Sequence, residues 1–191
     1  MSHDSRKIAM VVAHSGFGDE EFLIPKGIFE SVGLRVIAAS NDHGEAVGKY
    51  GAVVQVDTIA SHLHPHDYLA IVLVGGPGVA VFYNDGGLFR ILQDFMLQRK
   101  VVAAICSAPV VLANAGLVAD RKVTVFADDK DSVEAGGAYY TGRTVEVDGQ
   151  IVTANGPGAA KEFAEEILKA IDWQRKGHEI RSSLRQQRKR F

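Results

Sequence analysis

The one cysteine of this chain, Cys106, lies where an apolar run of strand length meets small residues and a proline. The stretch "VVAAIC" ends there, and Ser107 and Ala108 follow directly. This change resembles a nucleophile elbow, a sharp strand-to-helix turn that exposes one side chain and needs small neighbours. Because a helix N-terminus favours negative charge, we expect the pKa of the Cys106 thiol to lie well below about 8.5. The alternative, a buried and inert core cysteine, stays open on local sequence alone.

Two glycine-rich turns, "HSGFGDEE" and "VGGPG", also follow strand-like runs. In open parallel sheets, ligands bind where strands end and helices begin, so we expect these turns to meet at Cys106. The backbone N–H groups of Gly76 and Ser107 would then form a pocket for an oxyanion or another anion. His14 ends the first strand and is a candidate for the rim of this site. The alternative for His14 is a surface histidine in a turn.

Strand-like and helical runs alternate along the chain, which is typical of βαβ units with helices on both faces of a mostly parallel sheet. The predicted strands are 7–14, 34–40, 68–76, 101–106 and 122–126, with a strand pair over 144–154 and a hairpin arm over 52–58. The predicted helices are 19–32, 88–98, 108–115 and 158–173. Since no linker or composition shift divides them, residues 1–174 are predicted to form one domain.

Composition narrows the class of protein further. The chain has 191 residues, of which 47% are hydrophobic, and this is enough to form one sizeable core. Its net charge of −2 implies no special partner. One cysteine cannot form an internal disulfide, and we find neither a membrane-length apolar run nor a signal peptide. We therefore expect a cytoplasmic protein with no membrane association.

The charge is concentrated at the C-terminus. Residues 175–191 carry seven lysines or arginines against the single Glu179. Such a tail could bind nucleic acid or an acidic partner weakly. Since it has no aromatic residue for stacking except Phe191, we favour a solvated extension of the last helix and expect no nucleic-acid binding.

Three histidines, His62, His64 and His66, alternate in "HLHPH" and would suit a metal ion if the segment were extended. No carboxylate or cysteine ligand accompanies them in this pattern, and Pro65 predicts a loop there. We therefore predict no metal site.

Four motifs in order resemble the DJ-1/PfpI family, also called ThiJ/PfpI. They are "GFGDEEFLIP", "VLVGGPG", "AAICSAP" and "TANGPGAAKEFAEEIL", and the resemblance extends from about Lys7 to Asp172. It implies a flavodoxin-like three-layer α/β sandwich, of the class I glutamine amidotransferase-like type, and a homodimer. It implies no cofactor.

The resemblance also implies roles for individual residues. Cys106 matches the nucleophile, and Glu21, four residues before Pro25, matches a protonated carboxyl that donates a hydrogen bond to the sulfur. Gly76 and Ser107 match the oxyanion positions. We assign Asp19 and Glu20, beside this glutamate, to solvated charges at the start of the helix.

Two departures from the family pattern bear on activity. Peptidase-like members have a histidine directly after the cysteine, where this chain has Ser107. Many members of the family also have a histidine about twenty residues after the cysteine, where this chain has Phe126. We place Phe126 at the rim of the site. Without either histidine, a Cys-His dyad of the peptidase kind is disfavoured.

The resemblance leaves two classes of function open, because both use the same thiol and carboxyl. One is a glutathione-independent glyoxalase or deglycase acting on small reactive carbonyls, such as methylglyoxal, which it would convert to lactate. The other is a redox sensor or oxidative-stress chaperone in which Cys106 is oxidised to a sulfinate. A peptidase is the third and least favoured alternative.

Overall fold

The computed structural model describes the backbone of residues 6–188 and the side chains of residues 6–177. Its strands, in chain order, are β1 Lys7–Val11, β2 Ser15–Phe17, β3 Arg35–Ser40, β4 Glu45–Gly48, β5 Val53–Gln55, β6 Thr58–Ile59, β7 Ala70–Leu73, β8 Val101–Ile105, β9 Lys122–Val123, β10 Tyr139–Tyr140, β11 Val145–Asp148 and β12 Ile151–Ala154. Its α-helices are α1 Asp19–Ser31, α2 Gly86–Leu97, α3 Pro109–Asn114, α4 Lys130–Ala135 and α5 Ala160–Arg188. Short 3₁₀ helices occupy Ala60–His62, Pro65–Asp67, Pro77–Phe82, Ala127–Asp129 and Pro157–Ala159.

Seven strands form the central sheet in the order β11-β12-β8-β7-β1-β3-β6. All neighbours in it are parallel except the β11–β12 hairpin at one edge. Two smaller sheets, β2-β4-β5 and β9-β10, flank it. Strands β1, β7 and β8 are adjacent and central, so the turns that follow them open at one edge of the sheet.

Buried side chains alternate between the two faces of the sheet and form two cores. Ala9 and Val11 of β1 face the core that α2, α3 and α4 cover, whereas Ile8 and Met10 face the core under α1 and α5. This alternation follows from the two-residue period of a strand. The arrangement is a flavodoxin-like three-layer α/β sandwich, as predicted.

Helix boundaries shift where capping decides them. Helix α2 begins two residues before its predicted start at Leu88, because the Asp85 side chain accepts hydrogen bonds from the N–H groups of Gly87 (2.9 Å) and Leu88 (3.0 Å).

Helix α5 extends far beyond its predicted end at Trp173 and passes through the predicted domain boundary at residue 175. The apolar stripe stops there, but the lysines, arginines and glutamines that follow have good helix propensity and continue the helix. The side chains of residues 178–191 lie outside the described part of the chain, so the predicted role of the basic tail stays a prediction.

The histidine motif lies mostly in two 3₁₀ segments rather than in a strand. The rings of His64 and His66 are tilted, with centroids 5.8 Å apart. Within the part of the chain that the structure describes, no group of side chains has the arrangement of a metal site. The helices of that same part include none that is long and apolar enough to cross a membrane.

Candidate active site

Cys106 lies in the turn between β8 and α3 with a φ of 61°, in the left-handed region that residues other than glycine rarely adopt. This conformation costs on the order of 1–2 kcal/mol for an L-residue. The turn is held on both sides, because the Cys106 amide donates to the Ala154 carbonyl and the Cys106 carbonyl accepts from the Phe126 amide, each at 2.9 Å. The strained geometry of an elbow is therefore built into the sheet edge.

Glu21 reaches the sulfur from the first turn of α1. The helix start is fixed against the turn after β7, since the Gly18 amide donates to the Gly75 carbonyl at 2.9 Å. The Glu21 side chain is fully buried, and its Oε2 accepts from the Gly75 amide at 2.9 Å. Its Oε1 has no hydrogen-bond partner with oxygen or nitrogen among the described residues. The carboxyl lies within hydrogen-bonding reach of the Cys106 side chain.

Two glycines make this approach possible. A Cβ on Gly75 would lie 2.7 Å from both the Cys106 Cβ and Glu21 Oε2. Gly76 has a φ of 93°, and a Cβ there would lie 2.5 Å from the Gly18 nitrogen. The "GG" of the second motif thus lets thiol, carboxyl and backbone meet at one point.

The N–H groups of Gly76 and Ser107 lie close enough to the Cys106 sulfur to favour its thiolate. Their effect on the pKa of Cys106 is smaller than the opposing effects. Burial, followed by the charge and hydrogen bond of Glu21, raises the pKa of Cys106 to about 11. The predicted pKa well below 8.5 is therefore wrong. The helix-dipole argument failed because α3 has six residues and begins only at Pro109, whereas the carboxyl partner lies directly beside the sulfur.

Burial also raises the pKa of Glu21, against the effects of Cys106 and of the Gly75 amide. The thiol therefore favours ionised Glu21, whereas the ionised carboxyl disfavours the thiolate, and the two groups titrate as one coupled pair. When the pair holds a single proton, that proton lies either on the sulfur, which gives thiol and carboxylate, or on the carboxyl, which gives thiolate and carboxylic acid.

The two acidic neighbours of Glu21 differ from each other. Glu20 is exposed, as predicted, but Asp19 is only 7% exposed, so its assignment as a solvated charge is wrong. Burial disfavours ionised Asp19, but the amides of Ala52 (2.8 Å) and Tyr50 (2.9 Å), with nearby Lys49, lower its pKa below the usual range. Asp19 anchors the turn between β4 and β5 rather than serving the thiol.

The structure brings together Cys106, Glu21 and the amides of Gly76 and Ser107. Of the two residues predicted at the rim of the site, one adjoins the elbow and the side chain of the other is bonded to a different loop. Phe126 adjoins the elbow through its amide and is 41% exposed. The His14 ring instead forms a hydrogen bond from Nε2 to the His43 carbonyl at 2.9 Å, which ties it to the loop before β4. His14 therefore acts structurally in this conformation.

One residue at the site has no counterpart in the sequence prediction. Tyr83 follows the 3₁₀ helix that begins after Gly76, and its hydroxyl lies within hydrogen-bonding reach of the Ser107 side chain. Burial, then the charges of Asp129 and Cys106, raise the pKa of the Tyr83 phenol. The only sequence signal was its position a few residues after the glycine-rich turn.

The sequence of residues 6–170 matches the DJ-1/PfpI family. The protein MJ0967 of Methanocaldococcus jannaschii is 41% identical over 169 residues, which cover 87% of this chain and 82% of that protein. The deglycase TK1284 of Thermococcus kodakarensis is 30% identical over 162 residues, covering 85% of this chain and 98% of that protein. A crystal structure of a ThiJ/PfpI domain protein from Brachyspira murdochii is 34% identical and superposes with a TM-score of 0.85, covering 87% of this chain and 96% of that one.

Fold, motifs and relatives thus define one class, the flavodoxin-like α/β proteins with a cysteine at a strand-to-helix elbow. Within that class, this chain belongs to the DJ-1/PfpI family.

Proposed function

We propose that this protein is a cofactor-independent enzyme that converts small reactive carbonyls to hydroxy acids, with methylglyoxal to lactate as the model reaction. The observation that supports this most is the coupled pair of Cys106 and Glu21, a half-buried thiol and a fully buried carboxyl within hydrogen-bonding reach of each other. Relatives named deglycases, at 28–30% identity, support an activity of this general kind.

The first step uses the proton that the pair holds. The thiolate attacks the aldehyde carbon C1, a C–S bond forms, and the π electrons of the carbonyl move to its oxygen O1. Backbone N–H groups of Gly76 and Ser107 are placed to stabilise the charge on O1. The Glu21 carboxyl then gives its proton to O1, which leaves a neutral hemithioacetal and an ionised Glu21.

Glu21 is now a base beside the carbon that must lose a proton. It removes the C1 proton, the electrons form a C1–C2 double bond, and negative charge appears on the ketone oxygen O2. Glu21 returns the proton to C2 while the proton on O1 passes to O2, giving a thioester of lactate. Water then cleaves the thioester, releases lactate and restores the thiol, so the net reaction adds one water and needs no oxidant or reductant.

The raised pKa of the Glu21 carboxyl suits this cycle. A carboxyl whose pKa is raised by burial can be an acid in one step and a base in the next near neutral pH. The Glu21 side chain is fully buried, so the carboxyl that would move the protons is shielded from bulk water.

The test is methylglyoxal turnover by the purified protein. We expect lactate formation without added glutathione, its loss in Cys106→Ser, and normal activity in the control Glu20→Gln, whose side chain is exposed. Circular dichroism of Cys106→Ser should match the wild type. Turnover retained by the serine variant would refute a thiol mechanism.

A redox sensor is the competing function, and the same protein preparation separates the two. If wild-type protein makes no lactate but gains the mass of two oxygens on Cys106 at low peroxide, the enzyme proposal is wrong and the sensor is favoured. A peptidase finds no support in the site, because Ser107 occupies the position where peptidase-like members have the histidine.

A further inference from the structure

The reaction proposed above leaves one developing charge without an assigned partner. The N–H groups of Gly76 and Ser107 serve O1, and Glu21 exchanges protons with C1 and C2. The ketone oxygen O2 becomes negative when C1 loses its proton, and it must finally take up a proton. A hydrogen-bond donor near O2 would stabilise this charge, and such a donor acts most strongly in a partly dehydrated site.

Tyr83 is the polar side chain placed for that task. Its hydroxyl lies within hydrogen-bonding reach of the Ser107 side chain, and Ser107 directly follows Cys106, so Ser107 links the phenol to the thiol. Glu21 approaches the thiol through another residue, Gly75, whose amide donates to Glu21 Oε2 at 2.9 Å and whose backbone packs against the Cys106 Cβ.

The position of Tyr83 is fixed by its backbone. Its amide donates to the Ala80 carbonyl at 3.1 Å, and its carbonyl accepts from the Asn114 side-chain amide at 2.9 Å. The ring is half-buried and packs against the core between the sheet and α2 and α3. Because Asn114 ends the helix that follows the elbow, this hydrogen bond ties the Tyr83 backbone to the element that begins just after Cys106.

The phenol is suited to donate rather than to lose its proton. Burial and the neighbouring charges raise the pKa of Tyr83, so it stays neutral and keeps its O–H at physiological pH. A tyrosine hydroxyl can also accept a hydrogen bond. When the Ser107 hydroxyl donates to it, the phenol proton is free for a ligand oxygen.

We propose that Tyr83 donates a hydrogen bond to the second oxygen of a 1,2-dicarbonyl substrate and thereby makes the site selective for vicinal dicarbonyls over simple aldehydes. This inference rests on the proposed function. Its geometric basis is a pair of contacts at the elbow. The Asn114 side-chain amide donates to the Tyr83 carbonyl at 2.9 Å and joins the segment after β7 to α3, and the Phe126 amide donates to the Cys106 carbonyl at 2.9 Å and joins the loop that leads to Asp129 to the elbow.

The test compares a dicarbonyl with an aldehyde that has no second oxygen. Methylglyoxal kcat/KM is measured for the wild type, for Tyr83→Phe and for the control Tyr139→Phe, whose side chain is 61% exposed on β10. Propanal, which can form a hemithioacetal but has no O2, is measured as a reversible inhibitor of the same three proteins. Ser107→Ala, which keeps the backbone donor, is the second variant.

We expect Tyr83→Phe to lower methylglyoxal kcat/KM by about 10- to 100-fold, the scale for losing a hydrogen bond to a charged group. The inhibition constant of propanal should stay within about twofold of the wild-type value, since the lost hydroxyl has no partner in that adduct. Ser107→Ala should show the same pattern with a smaller loss, and Tyr139→Phe should behave as wild type.

Three results would overturn the inference. Unchanged methylglyoxal turnover in Tyr83→Phe would show that no hydrogen bond to O2 exists. If Tyr83→Phe weakened propanal inhibition by the same factor as it lowered methylglyoxal kcat/KM, Tyr83 would support the thiol itself rather than bind the second oxygen. No methylglyoxal turnover by the wild type would remove the proposed function, and this inference with it.

Discussion

Replacing Glu21 with glutamine tests the coupling that governs the thiol. The pKa of Cys106 rises from its ordinary 9.0 to about 11. At neutral pH this rise leaves very little of the thiol ionised. Burial is the largest cause and remains in Glu21→Gln, but the charge and hydrogen bond of the carboxylate disappear. Since a charge within about 4–6 Å is worth roughly 1–3 pKa units, we expect the Cys106 pKa to fall by at least about one unit in the variant.

The assay is the rate of iodoacetamide alkylation as a function of pH. Cys106 is the only cysteine in the chain, so the total label reports on this thiol alone. Glu21→Gln should react faster than the wild type between about pH 7 and 9, where its thiolate fraction is larger. Glu20→Gln, one position away on the exposed face of α1, is the matched control. The Glu20 charge acts on Glu21 more weakly than burial, Cys106, Gly75 or Lys49 does, so the Cys106 midpoint of this variant should stay close to that of the wild type.

The sign of the change decides between two accounts of the pair. A lower midpoint in Glu21→Gln means that carboxylate charge suppresses the thiolate in the wild type. A higher midpoint means that protonated Glu21 mainly donates to the thiolate, as the family resemblance implies, and our account of the raised pKa would then be wrong. An unchanged midpoint would leave burial as the sole cause and would refute the coupling.

Two further outcomes follow from packing. Gly75→Ala would place a Cβ 2.7 Å from both the Cys106 Cβ and Glu21 Oε2, so we expect a loss of about 1–3 kcal/mol in unfolding free energy and of most turnover; unchanged thermal melting and activity would contradict the packing described here. Exposed apolar side chains on α1 and the β4–β5 hairpin, including Leu23 (50%), Val47 (43%) and Val53 (57%), favour the expected homodimer. Sedimentation should then give the mass of two chains, and a monomer at micromolar concentration would refute this expectation.

The order of strands and helices was predictable, because apolar runs of strand length and amphipathic runs of helix length alternate clearly in this sequence. The elbow at Cys106 was also predictable, since only small residues and a proline follow the buried strand. The partnership of Glu21 with Cys106 was not visible in local pattern. It came from a family resemblance and from the register that Pro25 provides.

The predictions that were wrong, and the residue that was missed, depend on contacts between segments distant in sequence. Asp19 looks like a solvated helix-start charge until the β4–β5 turn folds over it and donates two amides. The pKa of the Cys106 thiol is set first by burial and then by the neighbouring Glu21 carboxylate, rather than by the helix that comes next in sequence. Tyr83 has no motif of its own, and only the packing of α3 against the segment after β7 places its hydroxyl at the site.

The position of Glu21 also bears on how the product of the proposed reaction would leave the site. Whenever Glu21 is ionised, a negative charge lies beside the sulfur and disfavours the thiolate. In the proposed reaction the substrate is neutral and would meet no repulsion from this charge, whereas the product is a carboxylate and would be repelled by it, the more so because the site is partly buried. We therefore expect lactate to inhibit the proposed reaction only weakly.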